Sequence, residues 1–250
     1  MLNRPFCNKI DRGVMPKPNA KISAQNKGIT PGQPIEALSG EIGDFQFAFG
    51  EGKANRTSII KHLIKINKYR SYLEIGVRDG SNFDQIQIEV KAGVDPSPST
   101  NVNFKMTSDE FFSIIDHTFL FDLIFIDGLH LFKQVNRDLN NSLAHLNPNG
   151  TIVMHDCNPP TAFHQRAAYE VDGKFPTWNG TVWKAWVKAR CDRSDLSMAV
   201  VNTDWGVGVV QRGKQKLYHS NIQKIDYEKL SSDRQAILNL ISVKEFIERY

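Results

Sequence analysis

The sequence contains little cysteine. Its 250 residues include three cysteines, Cys7, Cys157 and Cys191, and none of them forms a Cys-x-x-Cys pattern. Zinc knuckles and disulfide frameworks need closely or regularly spaced cysteines, so this pattern argues against both classes. The low cysteine content favours a protein of the reducing cytoplasm.

Long apolar runs and dense clusters of basic residues are also missing. Residues 1–20 carry Pro5, Pro16 and Pro18 with charges between them, which argues against a signal peptide and a membrane span. The formal net charge is +4, but the Lys and Arg residues are scattered, so we expect no nucleic-acid partner. An anionic small molecule is compatible with this charge.

Proline and glycine recur from residue 3 to about residue 52, with little helical or alternating periodicity. We predict that residues 1–55 form an irregular extension. Its apolar residues 45–49 either act as a lid over a site or pack on the following domain. Residues 56–215 are predicted to form one domain, and residues 216–250 an amphipathic, helical C-terminal segment.

Apolar strands alternate with helical segments through the middle of the chain. This alternation predicts a doubly wound parallel sheet with right-handed connections. Because parallel strands place their carboxyl ends at the same edge, polar residues should collect there. The predicted strands are residues 72–75, 92–95, 102–106, 121–126 and 151–154, with closing strands at 196–202 and 206–211; helices are predicted at 83–90, 111–116, 131–146 and 162–169.

The turn after the first predicted strand has features of a cofactor site. Gly76 and Gly80 allow close approach of the backbone, and Ser81 can open a helix whose free N–H groups bind an anion. Asp95 follows Gly76 at the spacing of about 20 residues that is typical of an acid binding ribose hydroxyls. The alternative is that Asp95 only forms a turn before Pro96.

Acidic and imidazole side chains follow the next two buried strands. Neighbouring strand ends lie about 4.8 Å apart, so Asp127 and Asp156 are predicted to share one divalent cation, Mg²⁺ or Mn²⁺. His155 would be a third ligand or an orienting neighbour. His130 is placed to act as a general base. The alternative is two unrelated aspartate turns.

The segment 178–186 is too aromatic for an ordinary connection. Aromatic faces and amide groups often line acceptor pockets, so Trp178 and Asn179 are predicted to contact a substrate. Trp183 and Trp186 are more typical of a helix that packs on the sheet.

Taken together, these residues resemble the class I S-adenosylmethionine-dependent methyltransferases. More narrowly, they resemble the metal-dependent O-methyltransferases that act on sugars of macrolide antibiotics and related small molecules. The resemblance covers roughly residues 70–213. It is carried by Glu74-Ile-Gly76 with Gly80, by Asp95, by Phe-Ile-Asp127-Gly-Leu-His130 and by His155-Asp156.

The resemblance implies a Rossmann-like, mostly parallel, seven-stranded sheet with an antiparallel last strand. It also implies that Asp127 and Asp156 ligate Mg²⁺ and that His130 is the base. One departure is that relatives often carry Glu-Asp where this chain has His155-Asp156, which leaves the third ligand open. The implied cofactor contacts are Gly76 and Gly80 at the methionine part, Glu74 orienting that turn, Ser81 near the carboxylate, Asp95 at the ribose, Ser108 and Asp109 beside the adenine, and Asp127 at the reacting end.

The sequence therefore predicts an O-methyltransferase with S-adenosylmethionine as cofactor and a small-molecule or glycan acceptor. A nucleotide-dependent oxidoreductase of similar fold is an alternative, but the absence of Gly-x-Gly-x-x-Gly in the first turn counts against it. A catalytically silent cofactor-binding domain is another alternative. The sequence leaves the oligomeric state open, including a homo-oligomer.

Overall fold

The computed structural model describes residues 54–220 and 225–250. The predictions for residues 1–53, including the lid hypothesis for residues 45–49, lie outside these ranges. Within the described ranges, no helix combines the length and the apolar character that a membrane crossing requires.

The first described helix, α1 (Arg56–Asn67), begins with a capping box. The Asn55 side chain accepts a hydrogen bond from the Ser58 amide, and the Ser58 hydroxyl caps the Asn55 amide, which satisfies two free N–H groups. The helix ends at Lys68 in a left-handed conformation with φ 55°. It packs on the sheet through Ile59, Ile60 and Leu63, which are buried.

The described residues form a sheet of seven strands, which in sheet order are β2 (Val90–Val94), β1 (Ser71–Ile75), β3 (Phe121–Ile126), β4 (Leu146–Met154), β6 (Val207–Arg212), β5 (Leu196–Val201) and β7 (Leu240–Ile241). The first four strands are parallel, β6 is antiparallel to both neighbours, and β7 is parallel to β5. The predicted seven-stranded, mostly parallel sheet is confirmed, but its antiparallel strand is β6 and not the last strand, β7, as the resemblance implied.

Both faces of the sheet are covered, because alternate residues of most strands enter two separate apolar clusters. On β3, for example, Ile124 belongs to one cluster and Phe125 to the other. Helices α1 and α7 cover one face, and the remaining helices contribute to the other. The remaining helices are α2 (Ser108–Ile114), α3 (Phe132–Ala144), α4 (Val182–Asp192), α5 (Tyr227–Ser232) and α6 (Arg234–Leu238), and α7 is Val243–Arg249.

The helix predicted at residues 83–90 is wrong. The chain forms only a 3-10 turn, Phe83–Gln85, and is extended at Ile86. The side chain of Lys91 donates hydrogen bonds to the carbonyls of Phe83 and Ile86, at 3.0 and 3.2 Å. These carbonyls are therefore satisfied without the hydrogen bonds that a longer helix would supply.

The strand predicted at residues 102–106 is reduced to a single bridge between Val94 and Phe104. The Asn103 side chain accepts the hydrogen bond of the Gly93 amide at 3.0 Å. Because a side chain takes the place of a backbone carbonyl here, the ladder does not extend. The helix predicted at residues 162–169 is also wrong, since that segment forms turns.

Trp186 fixes α4 against the sheet. Its side chain is completely buried, and its indole N–H donates a hydrogen bond to the carbonyl of Leu238 at 3.0 Å. Gly208 on β6 makes room for the ring, since a Cβ added there would lie 2.5 Å from it.

We expect Trp186→Phe to lower the free energy of unfolding by about 1–3 kcal/mol, because it removes a buried hydrogen bond and leaves a small cavity. Urea denaturation followed by circular dichroism measures this difference. Ile114→Ala is the control, since Ile114 is 54% exposed and should change stability by at most about 0.5 kcal/mol. A Trp186→Phe variant as stable as the wild type would contradict this account of the packing.

Candidate functional site

The carboxyl ends of β1 to β4 open into a cleft of about 910 Å³. The strand ends are level with one another, because Ile75 pairs with Val94 on one side and with Ile126 on the other, and Ile126 pairs with Met154. The residues that follow these strands therefore share one edge of the sheet. They include most of the residues that the sequence analysis selected.

Gly76 allows the ends of β1 and β3 to lie in contact. Its φ is +88°, and a Cβ added to it would lie 2.2 Å from the carbonyl oxygen of Asp127. No other residue type fits this conformation and this space. Gly80 shapes the same turn through a hydrogen bond from its amide to the Val77 carbonyl. Ser81 lines the cleft, whereas Gly80 does not.

Glu74 connects this turn to α1 through buried hydrogen bonds. Its Oε2 accepts from the Tyr72 hydroxyl at 2.5 Å and from the Asn82 amide at 2.8 Å. The side-chain oxygen Oδ1 of Asn82 in turn accepts a hydrogen bond from the Thr57 hydroxyl on α1. Burial raises the pKa of Glu74 to about 7, although both donors lower it.

Asp95 is fixed at the opposite side of the glycine turn. One carboxylate oxygen accepts from the Arg78 amide at 2.8 Å, and the other accepts from the Ser97 amide at 2.7 Å. Asp95 therefore forms a turn, as the alternative interpretation proposed, and it also lines the cleft. Each oxygen keeps a further lone pair that could accept from a ribose hydroxyl.

The two residues expected beside an adenine have different environments. Ser108 lines the cleft and donates to the buried carboxylate of Asp138 at 2.7 Å. Asp109 lies outside the cleft lining and forms an ion pair with Arg137 at 3.0 Å. Gln134, which the sequence analysis missed, lines the cleft and donates to the Ser108 hydroxyl. The sequence feature that could have identified Gln134 is its position on α3, the helix that follows the Asp127 loop.

Asp127, His130 and Asp156 meet at the centre of the cleft. The His130 Nε2 lies 3.3 Å from Oδ1 of Asp127, and its Nδ1 lies 3.1 Å from Oδ2 of Asp156. Burial by itself lowers the pKa of His130, but the two carboxylates raise it above the ordinary value. Burial raises the pKa of Asp127, but the neighbouring His155 and His130 hold it well below its usual range.

His155 lies beside the carboxylates of Asp127 and Asp156 and also contacts two residues outside this cluster, Arg56 and Asp204. Its Nδ1 lies 3.3 Å from Asp127 and 3.5 Å from Asp156. Its Nε2 lies 2.8 Å from the guanidinium of Arg56 and 3.5 Å from Asp204. Burial lowers the pKa of His155, but Asp156 and Asp127 together raise it well above the ordinary value. Arg56 and Asp204 were not among the residues predicted from the sequence.

Asn179 and Trp178 support the cluster from the chain that follows β4. Asn179 donates to Oδ1 of Asp156 at 2.7 Å and is 1% exposed, so it lies behind Asp156 and not in the cleft wall. The indole of Trp178 stacks on His130 with ring centres 5.1 Å apart. Trp178 also lines the cleft, as the prediction of a substrate contact requires.

Arg166 holds the loop that carries Trp178. Its side chain is buried, and its guanidinium lies over the Phe163 ring. The Trp178 indole N–H donates to the Arg166 carbonyl at 2.6 Å. The loop places two exposed rings at the cleft mouth, since Tyr169 stands 5.1 Å from Trp178 and from Phe175. The guanidinium donates to four carbonyls, those of Phe163, Thr177, Tyr169 and Pro176.

The central cluster fits a divalent cation. One ligand atom each from Asp127, His130 and Asp156 lies within 4.8 Å of the others. Two carboxylates suit Mg²⁺, and an imidazole nitrogen moves the preference toward Mn²⁺. This set differs from the sequence prediction, which placed His155 among the ligands and kept His130 as the base alone.

Residues 53–157 match a family model described as a methyltransferase domain. The match spans α1, the glycine turn, Asp95 and the Asp127–Asp156 cluster. The matched segment and the seven-stranded sheet are therefore similar to a methyltransferase domain. No curated protein sequence matches the chain.

Solved structures of methyltransferases resemble the chain in part. An O-methyltransferase from Bacillus cereus in complex with SAH is 14% identical, covers 70% of this chain and 87% of its own, and has a TM-score of 0.44. An SAH-bound Podospora anserina methyltransferase is 14% identical, with 76% and 100% covered and a TM-score of 0.46. An O-methyltransferase of tomaymycin synthesis from Streptomyces achromogenes, in complex with SAM, is 12% identical, with 72% and 91% covered and a TM-score of 0.46.

The raised pKa of Glu74 predicts a pH-dependent stability. Its folded value of about 7 exceeds the ordinary value of 4.5, so the folded protein binds this proton more tightly than the unfolded chain. Stability from this group is present at low pH and is lost as the pH rises through about 7. Glu74→Gln cannot ionise, so its free energy of unfolding relative to the wild type should rise by about 2–3 kcal/mol between about pH 5 and pH 8.

Urea denaturation of the wild type and of Glu74→Gln at several pH values measures this difference. The subtraction removes the titration of all other groups that the two proteins share. A difference that does not change with pH would show that the buried carboxyl does not titrate in this way.

Proposed function

We propose that the protein is a divalent-metal-assisted O-methyltransferase that methylates a hydroxyl of a sugar, glycan or glycoside, with His130 as general base. The observation that carries the proposal is the position of His130 between Asp127 and Asp156. This group opens into the same cleft as the glycine turn and Asp95. A cofactor bound at the turn would thus have its reacting end beside a base.

The proposed cofactor site follows the level ends of β1 and β2. The volume of the whole cleft, about 910 Å³, is at the upper end of the range for small-molecule sites, which suits a cofactor together with an acceptor. Asp95 would hold the ribose of the cofactor, and Gln134 and Ser108 would lie near its adenine ring. The proposed cofactor contacts that line the cleft are Glu74, Gly76, Ser81, Asp95, Ser108 and Asp127, whereas Gly80 and Asp109, which the sequence also predicted, do not line it.

Asp127 and Asp156 would hold the metal with His155 next to them, and His130 would stay uncoordinated, because a base needs a free nitrogen lone pair. A bound cation would lower the pKa of an acceptor hydroxyl and offset the negative charge of the two carboxylates. The His130 imidazole accepts the proton that the hydroxyl loses. S-adenosylmethionine, when bound, would supply an electrophilic sulfonium methyl group to that oxygen and leave as the neutral thioether, so no covalent intermediate with the protein would be needed.

The acceptor would lie against the aromatic loop. Trp178 stacks on His130, so an acceptor that contacts the indole is also next to the base. Aromatic rings bind the apolar faces of sugar rings, and Tyr169 and Phe175 extend this surface to the cleft mouth. Asn179 would act on the acceptor through Asp156, which its amide orients.

We also propose that residues 56–215 form the catalytic domain, and that residues 1–55 and 216–250 are additions to it. The low cysteine content supports a cytoplasmic location. The proposal leaves the oligomeric state open, and a homo-oligomer is compatible with it.

We expect His130→Gln to lower kcat for methyl transfer by about 10²–10⁴-fold, because the proton acceptor is removed. The affinity for S-adenosylmethionine should not change. The assay detects methylated product by mass spectrometry after incubation with candidate glycans, glycosides and phenols, and then follows the rate. His117→Gln is the control, because His117 is exposed and does not line the cleft. Intact methyl transfer by His130→Gln would contradict the role of base.

Trp178→Ala is expected to raise the KM for the acceptor by about tenfold, a loss of about 1.4 kcal/mol of binding. Its kcat should fall as well, because the indole supports His130. Steady-state kinetics separates these two effects from the affinity for S-adenosylmethionine, which should remain as in the wild type. An unchanged KM for the acceptor would contradict the proposed contact between Trp178 and the acceptor.

A further inference from the structure

Arg56, the first residue of α1, is held rigidly at the cleft. Its guanidinium Nη1 lies 3.1 and 3.2 Å from the two carboxylate oxygens of Asp204, and its backbone amide donates to the same carboxylate at 2.8 Å. The Thr203 hydroxyl also donates to the Ala54 carbonyl, which ties the start of α1 to the β5–β6 loop. The side chain is 28% exposed and lines the cleft.

The charge of Arg56 faces the acidic cluster. Its Nε lies 3.9 Å from Oδ2 of Asp127, and its Nη1 lies 2.8 Å from Nε2 of His155. A guanidinium stays protonated throughout the ordinary pH range. A permanent positive charge therefore lies beside a carboxylate that would ligate the metal.

Arg56 also decides what His155 can offer to a cation. Arg56 and Asp204 lie on the Nε2 side of the ring, at 2.8 and 3.5 Å. Only Nδ1 is directed at the carboxylates of Asp127 and Asp156 that would hold the cation.

We propose that Arg56, held by Asp204, is a built-in positive charge that competes with the divalent cation at Asp127 and keeps the affinity for that cation low. The proposal rests on the metal site of the proposed function. At a separation of about 4 Å and the effective dielectric constant of a partly buried site, such a charge changes cation affinity strongly. The negative charge of Asp204 offsets part of the effect of Arg56, so Arg56 lowers the affinity for the cation and Asp204 raises it.

The test is calorimetric titration of Mn²⁺ into the full-length chain without cofactor or acceptor. Arg56→Gln should bind Mn²⁺ at least about fivefold more tightly than the wild type, because the competing charge is gone. Asp204→Asn should bind Mn²⁺ at least about threefold more weakly, because the guanidinium loses its counter-charge. The double variant should return toward the wild-type affinity, and Arg56→Lys, which keeps the charge, should remain near it.

A purely structural role for the pair predicts that Arg56→Gln and Asp204→Asn both weaken Mn²⁺ binding, and this result would overturn the proposal. So would an unchanged affinity of Arg56→Gln. If Arg56→Gln does not fold by circular dichroism, the weaker binding of Asp204→Asn beside an unchanged Arg56→Lys supports the proposal, and equal affinities overturn it.

Asp127→Asn separates this inference from the proposed function. If Asp127→Asn still binds Mn²⁺, the proposed metal site is wrong, and the proposal about Arg56 is then wrong as well. If Asp127→Asn loses binding but Arg56→Gln does not gain it, only the role of Arg56 is wrong.

Discussion

The register of four parallel strands is the constraint on which the cleft depends. Val94, Ile75, Ile126 and Met154 form one row of paired residues across β2, β1, β3 and β4. The next residue on each strand is Asp95, Gly76, Asp127 or His155. A shift of one strand by one residue would turn its side chains to the opposite face and separate these groups. The proposed cofactor residues and the proposed catalytic residues are therefore brought to one edge by the backbone pairing of these four strands.

The charges at this edge are buried and need partners, and the fold supplies them from distant parts of the chain. Asp127 and Asp156 face two imidazoles, and the Arg56–Asp204 pair closes the cluster from α1 and the β5–β6 loop. Burying unpaired carboxylates would cost several kcal/mol each. The additional helix and loop are thus part of the site, although neither follows one of the parallel strands.

The sequence predicted the site where an apolar strand stops at a polar residue, as at Asp127 and Asp156, because that pattern is local. The sequence prediction failed at residues 83–90, where the alternation of strands and helices predicted a crossover helix but Lys91 satisfies the carbonyls of Phe83 and Ile86. Arg56 was missed for a different reason, since its partner Asp204 is 148 residues away and its own helix shows only an apolar face. Contacts made by folding at long range leave no periodic signal in the chain.

The central claim is that the glycine turn and Asp95 bind S-adenosylmethionine. Isothermal titration of the full-length protein with S-adenosylmethionine and, separately, with NAD⁺, each with and without Mg²⁺, tests it most directly. The account predicts saturable binding of S-adenosylmethionine, weakened by Asp95→Ala, and no binding of NAD⁺. Binding of NAD⁺ with no response to S-adenosylmethionine would contradict it.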